Sequence, residues 1–323
     1  VTGRPLVSIV LPVYNATKYL SDSVQRLRAL DYPSYEVVIV DDGSQDGTAA
    51  KARELTAGDA RFEVVELPEN RGVARARRAG VEAAAGELVW FVDADDSWTT
   101  DALRVLVGMA TERRADVVVA AAALVTRGGR RRAITPPVSA PVDGRTAFRM
   151  LMRGEITGHL WNKLFRREVL LRAEFTPARV QSDLALVADV LGHATTVAFT
   201  GVVIYTYVLH DGSIITSVPR RADSLALVHR RVSDTARRLG LQESNDLAYF
   251  TARYIALSGI KDALQAGYSK GEKKALVSRN RGLIHWISIR VSMRRRDLRR
   301  MLLIATAMTS LPAHSVLLKI SDR

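Results

Sequence analysis

The chain of 323 residues has no cysteine. That excludes disulfides, thiolate metal sites and cysteine nucleophiles, and it is compatible with a reducing cytoplasm. A long hydrophobic run is also lacking. The longest late stretch without Lys, Arg, Asp or Glu is Met301 to Leu318. Thr306, Thr309, Ser310, Pro312, His314 and Ser315 interrupt it, so it does not read as a transmembrane helix. No signal peptide is visible and the first residue is Val1, so the chain reads as processed or as a piece of something longer. Acidic residues are scarce in one region. Residues 220–323 hold 21 Lys and Arg against eight Asp and Glu, which accounts for the whole net charge of +13. Residues 1–219 are neutral overall, so the high pI belongs to the tail and not to a nucleic-acid-binding body.

What is present begins with an alternation of strands and helices. Leu6–Val13, Tyr35–Val40, Phe62–Leu67, Glu87–Val92 and Ala115–Val125 read as strands. Thr17–Leu30, Asp46–Leu55, Val73–Ala85 and Asp101–Thr111 carry helical spacing. That order implies a mainly parallel sheet with right-handed crossovers. Gly128-Gly129 reads as the turn of a solvated basic hairpin. Helices are expected again at Thr146–Arg153 and Asp183–Leu191, and a strand at Thr195–Tyr207. From Ala222 onward the pattern is helical, in Leu225–Leu239, Asp246–Ala266 and Lys270 to about Arg300.

Chemistry concentrates at the strand ends. Val89-Trp90-Phe91-Val92 runs into Asp93-Ala94-Asp95-Asp96, three carboxylates within four positions. Such a cluster needs a positive partner, and hard oxygen ligands favour Mg2+ or Mn2+. The alternative is a solvated turn that caps the next helix. Polar loops at Tyr14-Asn15 and Asp41-Asp42 follow two other strands, and in an open parallel sheet such loops share the edge where ligands bind.

Four blocks in order carry a resemblance: Val7–Asn15, Val38–Thr48, Asn70-Arg71-Gly72 with Ala76-Arg77 and Gly80, and Gly86–Asp96. A weaker match continues through Trp161–Arg167, Ser182-Asp183, Tyr205 and His210–Ile214. The chain resembles family-2 glycosyltransferases of the GT-A fold. The fold so implied is α/β, a Rossmann-like, mainly parallel sheet with flanking helices. The domain is expected over residues 1–219, with a nucleotide-binding half at about 5–125 and an acceptor half at about 126–219. A basic helical region follows at 220–323.

The resemblance also implies roles. Pro12 and Tyr14 pack around the base or ribose, and Asp42 accepts from uracil N3–H. Arg77 reaches the nucleotide from its helix, while Arg75 and Arg78 read as surface cations. Asp95 ligates the metal, Mn2+ or Mg2+, and Asp93 contacts the ribose or a metal-bound water. Asp96 caps a helix or meets a sugar hydroxyl. Asp183 is the base that takes the acceptor proton, with an N-cap as its structural alternative. Ser182 stands before it where the family usually has Glu. Trp161, Asn162 and Lys163 line the donor and acceptor side. His210 and Ser213 close over the diphosphate, with His210 also a metal candidate. The implied reaction is inverting transfer from a UDP-sugar to a hydroxyl of a wall polymer, an exopolysaccharide or a lipid-linked acceptor. A sugar-phosphate nucleotidyltransferase is the enzyme alternative, disfavoured because Pro12–Asn15 replaces its Gly-rich loop; a catalytically weak binding module is the other.

The densest charge lies in Met293–Ile304, where Asp297 is the single acid among five arginines. A helix with cations beside Leu and Met suits an anionic membrane surface. The same face suits a polyanionic acceptor, or a solvated bundle used for homo-oligomerisation. The expected location is the cytoplasm, with peripheral contact at the inner face of the membrane.

Overall fold

The first two strands are rich in β-branched residues and are buried on both faces. A computed structural model of the protein describes residues 3–126, 128–137, 140–209 and 220–321. The first half contains β1 (Val7–Val13), α1 (Thr17–Arg28), β2 (Tyr35–Asp41), α2 (Thr48–Thr56), β3 (Phe62–Glu66), α3 (Val73–Ala83), β4 (Leu88–Phe91), β5 (Ser97–Trp98), α4 (Ala102–Arg113) and β6 (Val117–Val125). After it come β7 (Arg131–Ile134), α5 (Gly144–Arg153), β8 (Lys163–Arg166), α6 (Arg167–Arg172), α7 (Ser182–Leu191) and β9 (Val197–Val208). The strands form one sheet in the order β3-β2-β1-β4-β8-β6-β9-β5, with β7 paired to β6. β1, β2, β3 and β4 are parallel, as the crossover pattern requires. β8 enters antiparallel between β4 and β6. The turn at Gly128-Gly129 closes the β6–β7 hairpin, where the Thr126 N–H donates to the Arg130 carbonyl at 3.0 Å.

Alternation along β1 divides the core. Val7, Ile9, Leu11 and Val13 pack with Leu20, Val24 and Leu27 of α1 on one face. Val10 faces the other side, with Val81 of α3 and residues of α5 and α7. Gly80 lets α3 lie close to the sheet, since a Cβ there would come within 2.4 Å of Val10 Cγ1.

The C-terminal region contains α8 (Ala222–Arg238), α9 (Asn245–Phe250), a π-helical turn (Thr251–Ala256), α10 (Leu257–Gln265), α11 (Lys270–Gly282), α12 (Ile287–Arg294), α13 (Leu298–Thr309) and α14 (Leu311–Ser321). Leu225, Val228 and Val232 of α8 and Phe250 of α9 belong to the same core as Leu184, Val187 and Leu191 of α7. Leu303, Ile304 and Ala307 of α13 pack separately with Ala256 and Ile260. The helix expected from Lys270 to about Arg300 is in fact divided. Gly282 closes α11, and the Asp297 carboxylate accepts the Arg300 N–H at 3.2 Å to start α13. Pro312 falls in the first turn of α14, where its missing N–H costs no helical bond. No helix among the described residues is long and apolar enough to cross a membrane.

Candidate active site

Three strand ends meet at one edge of the sheet. The register sets Val13 beside Asp41 and Val10 beside Phe91, so the loops after β1, β2 and β4 leave the sheet together. The first two loops are tied to each other. Asn15, at φ +48°, accepts the Gln45 N–H at 3.0 Å and donates its own N–H to Ser44 Oγ at 2.8 Å. Gly43 is required twice over, by its φ of +68° and because a Cβ would lie 2.6 Å from the Glu69 carbonyl carbon. Asp42 is buried and braces the next loop, accepting from the N–H of Arg71 at 3.1 Å and of Gly72 at 2.8 Å. Each of its oxygens keeps a second lone pair. Pro12 is half-buried, and Tyr14 is 48% exposed.

Asp93 and Asp96 are held from β9. The Tyr205 hydroxyl accepts the Asp93 N–H at 3.0 Å and donates to Asp96 Oδ2 at 3.0 Å. The Val208 N–H donates to Asp96 Oδ1 at 3.0 Å. Asp96 thus braces the turn and does not cap a helix, since α4 starts after Asp101. From α1, Ser23 Oγ donates to the Ala94 carbonyl and Arg26 to that of Asp96. Burial pushes the Asp96 carboxyl up to about 8, and the like charge of Asp93 adds to it. Burial also raises Asp93, to about 6, against the pull of Arg77. A cation bound beside Asp93 and Asp95 would favour the charged form of these carboxyls.

Asp183 lies in the first turn of α7 behind Gln181, a non-glycine residue at φ +60°. Its side chain makes no N-cap bond; it meets Arg77 instead. Arg77 Nη1 donates to Asp183 Oδ1 at 2.5 Å, and Nη2 lies 3.5 Å from Asp93 Oδ1. The Arg77 side chain is 6% exposed, while Asp183 and Asp93 keep 25% and 30%. Burial works against the guanidinium charge, and the two carboxylates outweigh it. Arg78 pairs with Glu82 on the surface, and Arg71 with Glu69.

Trp161, Asn162 and Lys163 are buried at the start of β8, each 2% exposed or less. The start of β8 runs beside the end of β4, and the Trp90 Nε1–H donates to the Trp161 carbonyl at 2.8 Å. Asn162 Nδ2 donates to the Ala120 carbonyl at 2.8 Å. Lys163 Nζ donates to the His159 carbonyl at 2.6 Å and to Asn162 Oδ1 at 2.8 Å. Burial lowers the Lys163 ammonium to about 7, and lowers His159 to about 4 with help from that cation. Sequence reasoning assigned no role to His159 or Tyr207. Both are half-buried and stack with Trp161, at ring centroid distances of 4.6 and 5.7 Å. The signal available was Tyr205 and Tyr207 in alternation along one strand beside the aromatic His159–Trp161 pair.

His210 and Ser213 lie outside the described residues. Among the described residues no group of three His, Asp or Glu is arranged to hold a metal. Asp95, half-buried on the turn after β4, and Asp93 offer hard oxygens. Mg2+ at such sites takes one or two carboxylates and completes its shell from phosphates and water, so this donor set fits.

The family model for glycosyl transferase family 2 matches residues 8–172, half of the chain. The chain belongs to this family. As a family-2 glycosyltransferase it is similar to a Bacillus subtilis protein named for teichuronic acid biosynthesis, TuaG. That pair is 41% identical over 34% of this chain and 44% of TuaG, so less than half of TuaG's length is matched. It is also 28% identical to a second Bacillus subtilis protein named as a glycosyltransferase, EpsH, over 75% of this chain and 71% of EpsH. The crystal structure of S. aureus TarS 1–349 in complex with UDP-GlcNAc superposes with a TM-score of 0.73. It covers 98% of this chain and 91% of that one at 19% identity, a likeness of fold. The GT-A expectation, an α/β sheet followed by a helical region, is thereby met.

Proposed function

We propose that this glycosyltransferase transfers a sugar, with inversion, from a UDP-sugar to a hydroxyl of a wall polymer, exopolysaccharide or lipid-linked acceptor, with Mn2+ or Mg2+. The observation that carries the reading is the bracket Asp183–Arg77–Asp93. It holds a candidate base and the Asp93–Asp95 loop on two sides of one buried guanidinium, with both carboxylates partly exposed. The roles of the Bacillus relative and the sugar nucleotide bound by TarS support the substrate classes.

In this reading Tyr14 and Pro12 stack on the base, and Asp42 offers a lone pair to uracil N3–H. Asp93 reaches the ribose. Asp95, with His210 as a further candidate, would hold the cation, which neutralises charge on the departing diphosphate. His210 and Ser213 would close the diphosphate side. The acceptor oxygen attacks the anomeric carbon as its bond to UDP breaks, and the acceptor proton passes to the Asp183 carboxylate. One displacement inverts the anomeric centre. Asp96, Trp161, Asn162 and Lys163 act on the sugar side from beneath, by fixing the floor. Contact with a membrane through the basic helices would bring the enzyme to lipid-linked acceptors.

The test is UDP release from a panel of UDP-sugars, with Mn2+ or with EDTA, in wild type and Asp95→Ala. Turnover of one donor that needs the cation and is lost in Asp95→Ala is the expected result. Binding of a purine nucleotide with no UDP-sugar bound would overturn the uridine reading.

A further inference from the structure

The last three helices, with Trp286 at the N-cap of the first of them, expose large apolar side chains that the described residues leave uncovered. Trp286, Met293, Leu298, Leu302, Val316 and Ile320 are each about half exposed or more, from 49% at Leu302 to 66% at Ile320. Leu298 and Leu302 are one turn apart on α13, and Val316 and Ile320 one turn apart on α14. Each helix therefore shows an aliphatic pair outward while burying others, Leu303, Ile304 and Ala307 on α13 and Leu318 on α14. α12 packs on α13, and α13 on α14.

The charge around these side chains has one sign. Residues 286–320 contain seven Lys and Arg and one acid, Asp297. Asp297 is already engaged, since it caps α13 and pairs with Arg300. Arg290 lies over the exposed Trp286 ring, 5.3 Å from its centroid. Arg294, Arg296 and Lys319 rise from the same segment. Exposed Trp and Leu among cations match the headgroup boundary of an anionic bilayer, where apolar side chains enter the acyl region and cations meet lipid phosphates.

We propose that α12, α13 and α14 dock this enzyme on the surface of an anionic phospholipid membrane, peripherally and through these six side chains. This deepens the membrane contact in the reading above, and its test involves no sugar chemistry, so the two fail separately.

The experiment is co-sedimentation of the full chain with vesicles of phosphatidylglycerol in phosphatidylcholine, against phosphatidylcholine alone, with Trp fluorescence recorded. Expected are binding to the anionic vesicles only, a blue shift from Trp286 and release by high salt. Leu298→Gln with Leu302→Gln should weaken vesicle binding about tenfold, as should Arg294→Gln with Arg296→Gln, with thermal unfolding unchanged. Absence of binding, or equal binding to neutral vesicles, overturns the proposal. So does concentration-dependent self-association that the leucine variant abolishes, since a second copy of the chain would then be what covers the face.

Discussion

Arg77 on α3 donates from Nη1 to Oδ1 of Asp183 at the start of α7, at 2.5 Å and across 106 residues of sequence. The second arm of the same guanidinium lies beside Asp93. One buried cation thus separates two carboxylates assigned different tasks, the candidate base and a contact to the nucleotide. Without it the two partly exposed carboxylates would lose the cation that lies between them.

Arg77→Leu should therefore lose stability as well as activity. Removing one partner of a buried ion pair costs about 3 kcal/mol, here at the low end because both carboxylates are partly solvated. Urea unfolding of the variant against wild type measures it. Arg77→Lys should recover only part of the loss, because an ammonium cannot span both carboxylates as the planar fork does. Unchanged unfolding in Arg77→Leu would mean that the bracket carries no stability.

Asp183→Asn keeps the shape of the side chain and removes the basic oxygen. Transfer to an acceptor should fall by about 10²–10⁴, the usual range for a positioned base. Donor binding by calorimetry should change little. Wild-type turnover in this variant would move the base elsewhere.

Asp189 tests how the C-terminal helices are fastened to the catalytic half. It is 2% exposed on α7 and accepts from the Glu174 N–H, from Thr235 Oγ1 at 2.9 Å and from Arg238 Nη2 at 2.8 Å, the last two on α8. Burial alone would raise its carboxyl, and those hydrogen bonds outweigh burial and hold it below the ordinary value. A carboxyl depressed on folding stabilises above its unfolded pKa of about 3.9 and loses that contribution as pH falls through the folded value. Asp189→Ala should cost about 3 kcal/mol at neutral pH, and the gap to wild type should narrow only in acid below about pH 4. Denaturation at pH 7 and near pH 3 reads both; a gap that widens in acid contradicts the assignment.

Lys163 gives a slope of the same sign, in the alkaline range instead of the acid one. Its ammonium is lowered by burial to about 7. Between that value and about 10.4 the unfolded chain holds a proton that the folded chain does not, so stability rises with pH. Relative to Lys163→Met, wild type should gain up to about 1.4 kcal/mol per pH unit above pH 7. Parallel stability profiles for the two proteins would show that Lys163 stays charged in the fold.

Some of the site was legible because its residues are local in sequence. An apolar strand that ends in Asp93-Ala94-Asp95-Asp96 declares a strand tip whatever packs around it. The hairpin at Gly128-Gly129 and the helix at Asp183 are short-range patterns of the same kind. Asp96 was harder, because the groups that take up both its oxygens, Tyr205 and the Val208 N–H, come from a strand over a hundred residues later. Trp161, Asn162 and Lys163 have residue types that suit a sugar, yet their burial follows from β8 entering between β4 and β6. In the tail, helical periodicity ran unbroken from Lys270 to Arg300. The breaks after Gly282 and at Asp297 reflect where the helices turn to cover Ala256 and Ile260.

The sequence by itself determined the strands and helices, the parallel half of the sheet, the acidic strand tip and the segregation of charge to the tail. Each of these follows from side-chain period, backbone preference or ionisation, which act over a few residues. Tertiary structure alone decided that Arg77 pairs with Asp183, that Asp96 is held by groups of β9, and that six of the exposed large apolar side chains fall within residues 286–320. Those outcomes depend on which distant segments are brought together, and burying apolar surface selects the contacts while leaving no local mark in the chain.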